Sequence, residues 1–250
     1  MRIGIFLGTM GSSSTLDGLI DQIVDIEEDG FDNFWTAQVS GIDALTVLAL
    51  GGQHTSRVEM GTAVIPTFPR HPSMLAQQAL TTQAATNGRL LLGIGLSHQP
   101  VVENRWGLKF ETPGQHMEEY LTILRSLVDT GKVDFEGSVF QVHTEIQRVS
   151  TNRMTICVAA LAPRMLRMAG EIGDGTITWM VGPRTLDAHI VPRINRAAER
   201  AGRDAPRVCV GLPICVTDNP GAAFERAGGF FHNYGNLPSY RRMLDIEGVE

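Results

Sequence analysis

The chain has 250 residues, of which 43% are apolar and 19% are charged, and its formal net charge is −6. This length suits one large α/β domain spanning 1–250, and the composition excludes a disordered chain. The acidic balance, without any cluster of Lys and Arg, excludes the usual basic nucleic-acid-binding proteins. No apolar run approaches the ~20 residues of a membrane span, and no secretory signal follows Met1. We therefore expect a cytoplasmic protein that has neither nucleic acid nor membrane as a partner.

Three cysteines, Cys157, Cys209 and Cys215, lie in apolar, strand-like runs. Their odd number and the lack of CxxC spacing favour buried free thiols over a disulfide framework or a zinc site. The sequence predicts no metal site.

Short apolar runs alternate with helical patterns along the chain. The predicted strands cover 2–7, 31–37, 57–65, 89–95, 154–160, 175–181 and 207–217. The predicted helices follow them at 16–24, 42–50, 72–87, 117–128, from 163, 190–201 and 223–234. The segment 96–115 has no regular pattern, and 132–143 alternates around Glu136-Gly137, which predicts a β-hairpin.

Seven successive β–α units predict a parallel sheet, because short crossovers force consecutive strands to run in the same direction. A doubly wound sheet and a closed barrel both satisfy this pattern. The length and the regularity of the units favour an α/β fold of the TIM (β/α)8 type. The hairpin is then an insertion before the fifth strand. The sequence ends where an eighth β/α unit is expected; a truncated chain, a naturally shortened barrel and a partner chain that covers the gap are the open alternatives.

The glycine pair Gly93 and Gly95 tests a dinucleotide-binding interpretation. A Rossmann fingerprint requires a third glycine where this chain has His98, and a helix directly after the loop, whereas the next helical pattern starts near 115. The P-loop and HExxH patterns are absent, and GxSxG does not occur between a strand and a helix. A nicotinamide-binding loop is therefore disfavoured.

In a TIM barrel the functional site lies at the carboxyl ends of the strands. The residues predicted there are Gly8, Thr9, Thr36, Ala37, Gln38, Ala63, Val64, Gly95, Leu96, Ser97, His98, Ala159, Ala160, Leu161, Ala162, Thr178, Trp179, Met180, Leu212 and Pro213. This rim has few charges and many small or apolar side chains. It suits a large, flat, mostly apolar ligand held by backbone amides, such as a cofactor that brings its own chemistry.

Six stretches carry a resemblance to a known family. They are GFDNFWTAQ (30–38), GTAVIPTFPRHP (61–72), GRLLLGIGLSH (88–98), EEYLTILRSL (118–127), AALAPRMLRMAGEIGDGTITWMVGP (159–183) and LPSYRRMLDIEG (237–248). In this order the chain resembles the luciferase-like flavin and deazaflavin oxidoreductases, in particular the bacterial branch that uses coenzyme F420. The resemblance implies F420 as cofactor, with FMN as the alternative, a small organic substrate and a homodimer.

The resemblance also implies where the cofactor lies. It places a non-proline cis peptide between Ala63 and Val64 under the central ring, with the backbone of Gly93 and Gly95 close to the cofactor. Ser97 lies beside this cofactor-binding surface. The resemblance places the phosphate tail where Ala159, Ala160, Leu161 and Ala162 meet the next helix, near Arg164, and it puts Trp179 and Met180 on the other side of the pocket. Ordinary packing or solvation of Gly95, Arg164, Trp179 and Met180 remains an open alternative.

Two polar residues are the catalytic candidates. His98 has a side chain that titrates near neutral pH, so it suits a hydrogen bond to the ring or proton donation to substrate; a purely structural role is the alternative. Gln38 stands with Val39 where the family's sugar-phosphate dehydrogenases have an Asp-His pair, so we expect hydride delivery to a C=C, C=N or C=O bond without a histidine base there. Two alternatives stay open: an FMN-dependent monooxygenase, and a shortened, non-catalytic flavin-binding protein.

Overall fold

The structure of the chain is a computed structural model that describes residues 1–7, 13–150 and 152–249. The strands are β1 (Gly4–Leu7), β2 (Asn33–Thr36), β3 (Glu59–Thr62), β4 (Ile65–Pro66), β5 (Leu90–Gly95), β6 (Lys132–Glu136), β7 (Gln141–Glu145), β8 (Thr155–Ala159), β9 (Gly175–Trp179) and β10 (Arg207–Gly211). The helices are α1 (Leu16–Glu28), α2 (Ala44–His54), α3 (Pro72–Ala85), α4 (Gln99–Asn104), α5 (Pro113–Thr130), α6 (Pro163–Glu171), α7 (Pro183–Thr185), α8 (Val191–Arg200), α9 (Pro220–Phe231) and α10 (Pro238–Glu247). A π-helical turn (Leu186–Ile190) joins α7 to α8, and a 3-10 turn (His232–Asn236) joins α9 to α10.

The main sheet is a parallel barrel. Its strand order is β1-β2-β3-β5-β8-β9-β10, and the short β4 also pairs with β5. Within the described residues β1 pairs only with β2 and β10 only with β9, so no ladder joins these two edges and the seven-stranded barrel is nearly, but not fully, closed. The antiparallel hairpin of β6 and β7 lies outside it and precedes β8, as predicted. The predicted parallel α/β barrel is confirmed.

Both faces of the central barrel strand β5 are covered. All six residues of β5 are buried, which is expected where helices pack on the outside and side chains fill the inside. The predicted apolar face of α5 packs inward: Met117, Tyr120, Leu121, Leu124, Leu127 and Val128 are buried. The core therefore sits between the barrel wall and the surrounding helices.

Two segments differ from the prediction. The seventh barrel strand ends at Gly211 and not at 217, because Pro213 cannot donate to a strand ladder. Cys215 is consequently exposed and Cys209 only partly buried, so the expectation of three buried thiols is correct for Cys157 alone. In the irregular segment 96–115 the structure has the helix α4, whose six residues are too few to show a periodic pattern.

Ionic contacts concentrate at the amino-terminal ends of the barrel strands. Glu59 at the start of β3 binds Arg207 of β10 at 2.9 Å and Arg2 at 2.7 Å. Just before β9, the largely buried carboxylate of Asp174 contacts three guanidinium groups. They belong to Arg125, Arg153 and Arg203. These contacts tie strands and helices that are distant in sequence.

The β6–β7 hairpin is held by one buried carboxylate of α5. Glu119 accepts hydrogen bonds at 2.9 Å from the backbone N–H groups of Ser138, Val139 and Phe140. It also accepts from the Ser138 hydroxyl and the Gln115 amide. Burial alone raises the pKa of Glu119, but these hydrogen bonds outweigh it and lower the pKa to about 2.

Candidate functional site

A bulge interrupts the barrel wall near the carboxyl end of β3. Three residues, 62–64, lie opposite only two residues of β5, 92 and 93. Thr62 fills the gap, because its hydroxyl donates to the Gly93 carbonyl and accepts from the Gly93 N–H, both at 2.8 Å. An extra residue of this kind bends a strand and re-aims its side chains. The mouth, meaning the carboxyl ends of the barrel strands, is reshaped at this point.

The bulge contains Ala63 and Val64, which are both half-buried and are joined by a cis peptide bond, as the resemblance implies. Val64 packs over Gly95, since a Cβ on Gly95 would lie 2.6 Å from Val64 Cγ2. A Cβ on Gly93 would lie 2.0 Å from the carbonyl oxygen of Thr62. The space beside both glycines is therefore taken by protein atoms and is not left open for a ligand. The apolar surface here belongs to Ala63 and Val64.

Two other predicted site residues have a left-handed backbone. Ser97 has φ 65° after β5, and Met180 has φ 55° after β9. Residues other than glycine adopt such angles at an energetic cost, and residues with such angles cluster at functional sites. Trp179, next to Met180, is half-buried at the end of β9. The predicted pocket residues from β5 and β9 thus stand at one end of the barrel.

The segment from Ala159 to Ala162 connects β8 to α6. Ala160 is buried, whereas Ala159, Leu161 and Ala162 are half-buried. Ala162 is the N-cap of α6, and its methyl side chain cannot accept a hydrogen bond, so the first-turn amides have no capping side chain among the described residues. An uncapped helix start of this kind favours an anion.

His189 of the π-helical turn forms a hydrogen bond with this segment. The side chain is buried, and its Nε2 lies 2.7 Å from the carbonyl oxygen of Leu161. The imidazole N–H therefore donates to this carbonyl, which fixes the orientation of the peptide two residues before α6. The sequence analysis missed this residue, because nothing in the local pattern links it to the β8–α6 segment.

Two predicted polar residues are engaged with neighbouring helices. The guanidinium of Arg164 donates to Glu118 Oε2 at 2.9 Å and to Gln115 Oε1 at 3.1 Å, both on α5. The amide oxygen of Gln38 accepts from the backbone N–H of Ala44 at 2.8 Å and so helps to start α2. Of the Gln38 side chain, only the amide nitrogen is left for a ligand.

His98 lies at the mouth between β5 and α4. Burial lowers the pKa of its imidazole, which is therefore neutral at pH 7. Its ring lies 6.2 Å from the ring of Tyr240 of α10, measured between centroids. Neither side chain has a hydrogen-bond partner in the described part of the chain.

A continuous series of rings leads from these two residues around the mouth. The aromatic arc consists of His98, Tyr240, Tyr234, Phe231, Trp179 and Phe6. Neighbouring ring centroids are 6.2, 4.9, 6.0, 6.1 and 5.3 Å apart in that order. All six side chains are half-buried. The arc joins β5, α10, α9, β9 and β1, which are elements distant in sequence.

Other kinds of site are not seen in the ranges 1–7, 13–150 and 152–249. No group of three or more His, Cys, Asp or Glu residues there could hold a metal ion. No helix in the same ranges is long and apolar enough to span a membrane. Gly8 and Thr9, predicted at the end of the first strand, lie outside the described residues.

Comparison with known proteins gives the family. A family model described as luciferase-like monooxygenase matches residues 1–247. The chain belongs to the luciferase-like monooxygenase family. The resemblance inferred from the six sequence stretches is confirmed.

Relatives of this luciferase-like protein are similar over most of its length. The uncharacterized protein Rv1360 of Mycobacterium tuberculosis (strain H37Rv) is 32% identical over 91% of this chain and 71% of its own. An F420-dependent glucose-6-phosphate dehydrogenase of Intrasporangium calvum is 30% identical, over 83% of this chain and 68% of its own.

Solved structures of low sequence identity have the same fold. The coenzyme F420-dependent tetrahydromethanopterin reductase of Methanopyrus kandleri superposes with a TM-score of 0.81 at 22% identity, covering 100% of this chain and 76% of its own. The oxygenating constituent of 3,6-diketocamphane monooxygenase from Pseudomonas putida, in complex with FMN, gives 0.77 at 18% identity, covering 100% and 80%. Both likenesses support the barrel architecture of this luciferase-like protein.

Proposed function

We propose that this chain is an F420-dependent oxidoreductase acting on a small organic substrate that contains a C=C, C=N or C=O bond. One observation carries the proposal: the mouth combines an apolar bulge, Ala63–Val64, with an uncapped helix start at Ala162. A flat ring with an anionic tail matches this combination. The F420-dependent dehydrogenase of Intrasporangium calvum and the F420-dependent reductase of Methanopyrus kandleri support it by similarity.

The proposal gives each of the predicted cofactor-binding residues a role. Ala63 and Val64 contact the ring, and Ser97, Trp179 and Met180 bound it from the ends of β5 and β9. The amides that begin α6 bind the phosphate, and His189 holds the Leu161 peptide that leads to them. The bound cofactor supplies a hydride, and the protein excludes water and aligns the substrate.

The phosphate assignment is tested with Ala162→Asp. An aspartate at this N-cap accepts from the helix amides and stabilises α6, but it repels a phosphate. We expect an unchanged or higher melting temperature and at least about tenfold weaker F420 binding, measured by fluorescence titration. The phosphate-free deazaflavin nucleoside is the matched control and keeps its affinity. Equal losses for both ligands would contradict the assignment.

The choice of cofactor is tested on the unmodified chain. F420 and FMN are titrated side by side, and oxygen consumption is measured with reduced FMN. The proposal predicts tighter binding of F420 and negligible oxygen consumption. Preferential FMN binding with oxygen consumption would instead establish the FMN-dependent monooxygenase alternative, of which the Pseudomonas putida structure is an example by similarity.

A further inference from the structure

The aromatic arc is uncharged along its whole length. It contains one indole, two phenyl, two phenol and one imidazole ring, and the imidazole of His98 is neutral because it is partly buried. A surface of this kind binds apolar, planar molecules through ring stacking and edge contacts. It offers no cationic side chain that compensates an anionic group taken out of water.

Two arginines that follow barrel strands are already paired. Arg70, after β4, contacts Asp43 at 2.5 Å, and Arg164, after β8, contacts Glu118 at 2.9 Å. A free guanidinium is the side chain that binds a phosphate or a carboxylate most strongly, and neither of these two is free. The arrangement therefore disfavours anionic substrates at the mouth.

Apart from the indole N–H of Trp179, the polar tips of the arc lie at one end, where Tyr234, Tyr240 and His98 are neighbours. The phenol of Tyr240 and the imidazole of His98 have no hydrogen-bond partners among the described residues, although both side chains are half-buried. A polar group in such a position is satisfied by water or by a ligand. Two hydrogen-bonding tips at one end of an apolar wall match a molecule that is flat and apolar with a single oxygen at one edge.

We infer that the aromatic arc binds the substrate, that this substrate is an uncharged planar carbonyl compound, and that Tyr240 donates a hydrogen bond to its carbonyl oxygen. This inference rests on the proposed function, since it names the substrate class of the same site. Tyr240 is then a binding and specificity-determining residue, and the rings of Phe231 and Trp179 hold the apolar body of the substrate.

The experiment measures binding, not turnover. 1-Indanone, its carboxylate derivative and glucose 6-phosphate are titrated calorimetrically into the full chain, with and without saturating oxidised F420. We expect indanone to bind at least about tenfold more tightly than either charged compound. Tighter binding of glucose 6-phosphate, or no binding of indanone to the F420-loaded chain, would overturn the inference.

Three variants locate the binding surface. Tyr240→Phe keeps the ring but removes the hydroxyl, and it should weaken indanone binding roughly three- to tenfold. Phe231→Ala interrupts the arc and should weaken it at least about tenfold. Phe224→Ala, on the same helix but 78% exposed and outside the arc, is the matched control and should bind indanone like the wild type.

The outcomes separate this inference from the proposed function. If Tyr240→Phe and Phe231→Ala both bind indanone as the wild type does, the arc is not the binding surface. The conservative Tyr240→Phe change decides this even if Phe231→Ala does not fold, which circular dichroism would reveal. Indanone binding without any F420 binding would refute the proposed cofactor but not the inference that the arc binds the substrate. F420 binding without indanone binding would refute the arc alone.

Discussion

The Glu119 carboxylate gives the sharpest stability prediction. It is 3% exposed and accepts five hydrogen bonds at 2.9 Å from Gln115 and the β6–β7 turn. The difference between its ordinary pKa of 4.5 and its value of about 2 in the folded chain corresponds to about 3 kcal/mol. Because the folded pKa is lowered, this stabilisation is present above pH 4.5 and is lost as the pH falls toward 2.

The perturbation is Glu119→Gln, which keeps the shape of the side chain and removes its charge. We expect the free energy of unfolding at pH 7 to fall by about 3 kcal/mol, and the deficit relative to the wild type to shrink to about half by pH 3. The assay is urea unfolding monitored by circular dichroism over this pH range.

Glu118→Gln is the matched control on the same helix. The side chain of Glu118 is 32% exposed and pairs with Arg164 and Arg167, so its loss should cost less than about 1 kcal/mol. If both variants lose equal stability, or if the Glu119→Gln deficit does not change with pH, the reasoning about the buried carboxylate is wrong.

Three further predictions follow from buried groups. Asp174→Asn should destabilise the chain by about 3–5 kcal/mol in urea unfolding, because Arg125, whose side chain is 12% exposed, loses its buried counter-charge. Burial lowers the pKa of His116 to about 4, so wild-type stability should fall by about 2 kcal/mol between pH 7 and pH 5, and His116→Gln should show less of this loss. His189→Phe should weaken F420 binding about tenfold by fluorescence titration without affecting the phosphate-free deazaflavin nucleoside, since it releases the Leu161 carbonyl.

Local pattern was sufficient to predict the barrel, and the family resemblance added the cis peptide of the candidate site. The strand and helix periods, together with the six family-like stretches, located β3, β5 and β8 and the cis bond between Ala63 and Val64. These features are encoded within short segments. The end of β10 and the presence of α4 were not predicted. The end of β10 depends on pairing with the neighbouring strand, and α4 is too short to show a periodic pattern.

The rest of the candidate site depends on contacts between distant segments. Nothing near Tyr240 in the sequence indicates that it meets His98, and nothing near His189 indicates that it binds the Leu161 carbonyl. The glycine pair was explained by ligand access, whereas the structure shows that Val64 and the Thr62 carbonyl occupy the space beside it. Tertiary packing decided each of these points, and a single sequence does not report it.

The ionic contacts of Glu59 and Asp174 lie at the opposite end of the barrel from the uncharged aromatic arc. These contacts are consequently remote from the surface that we propose binds the ligand. If the proposed role of the arc is correct, substitutions at Phe231 or Tyr240 should change ligand preference and leave these ionic contacts in place. To engineer a new specificity, one should vary the residues of the mouth and keep the contacts of Glu59 and Asp174 with their arginines.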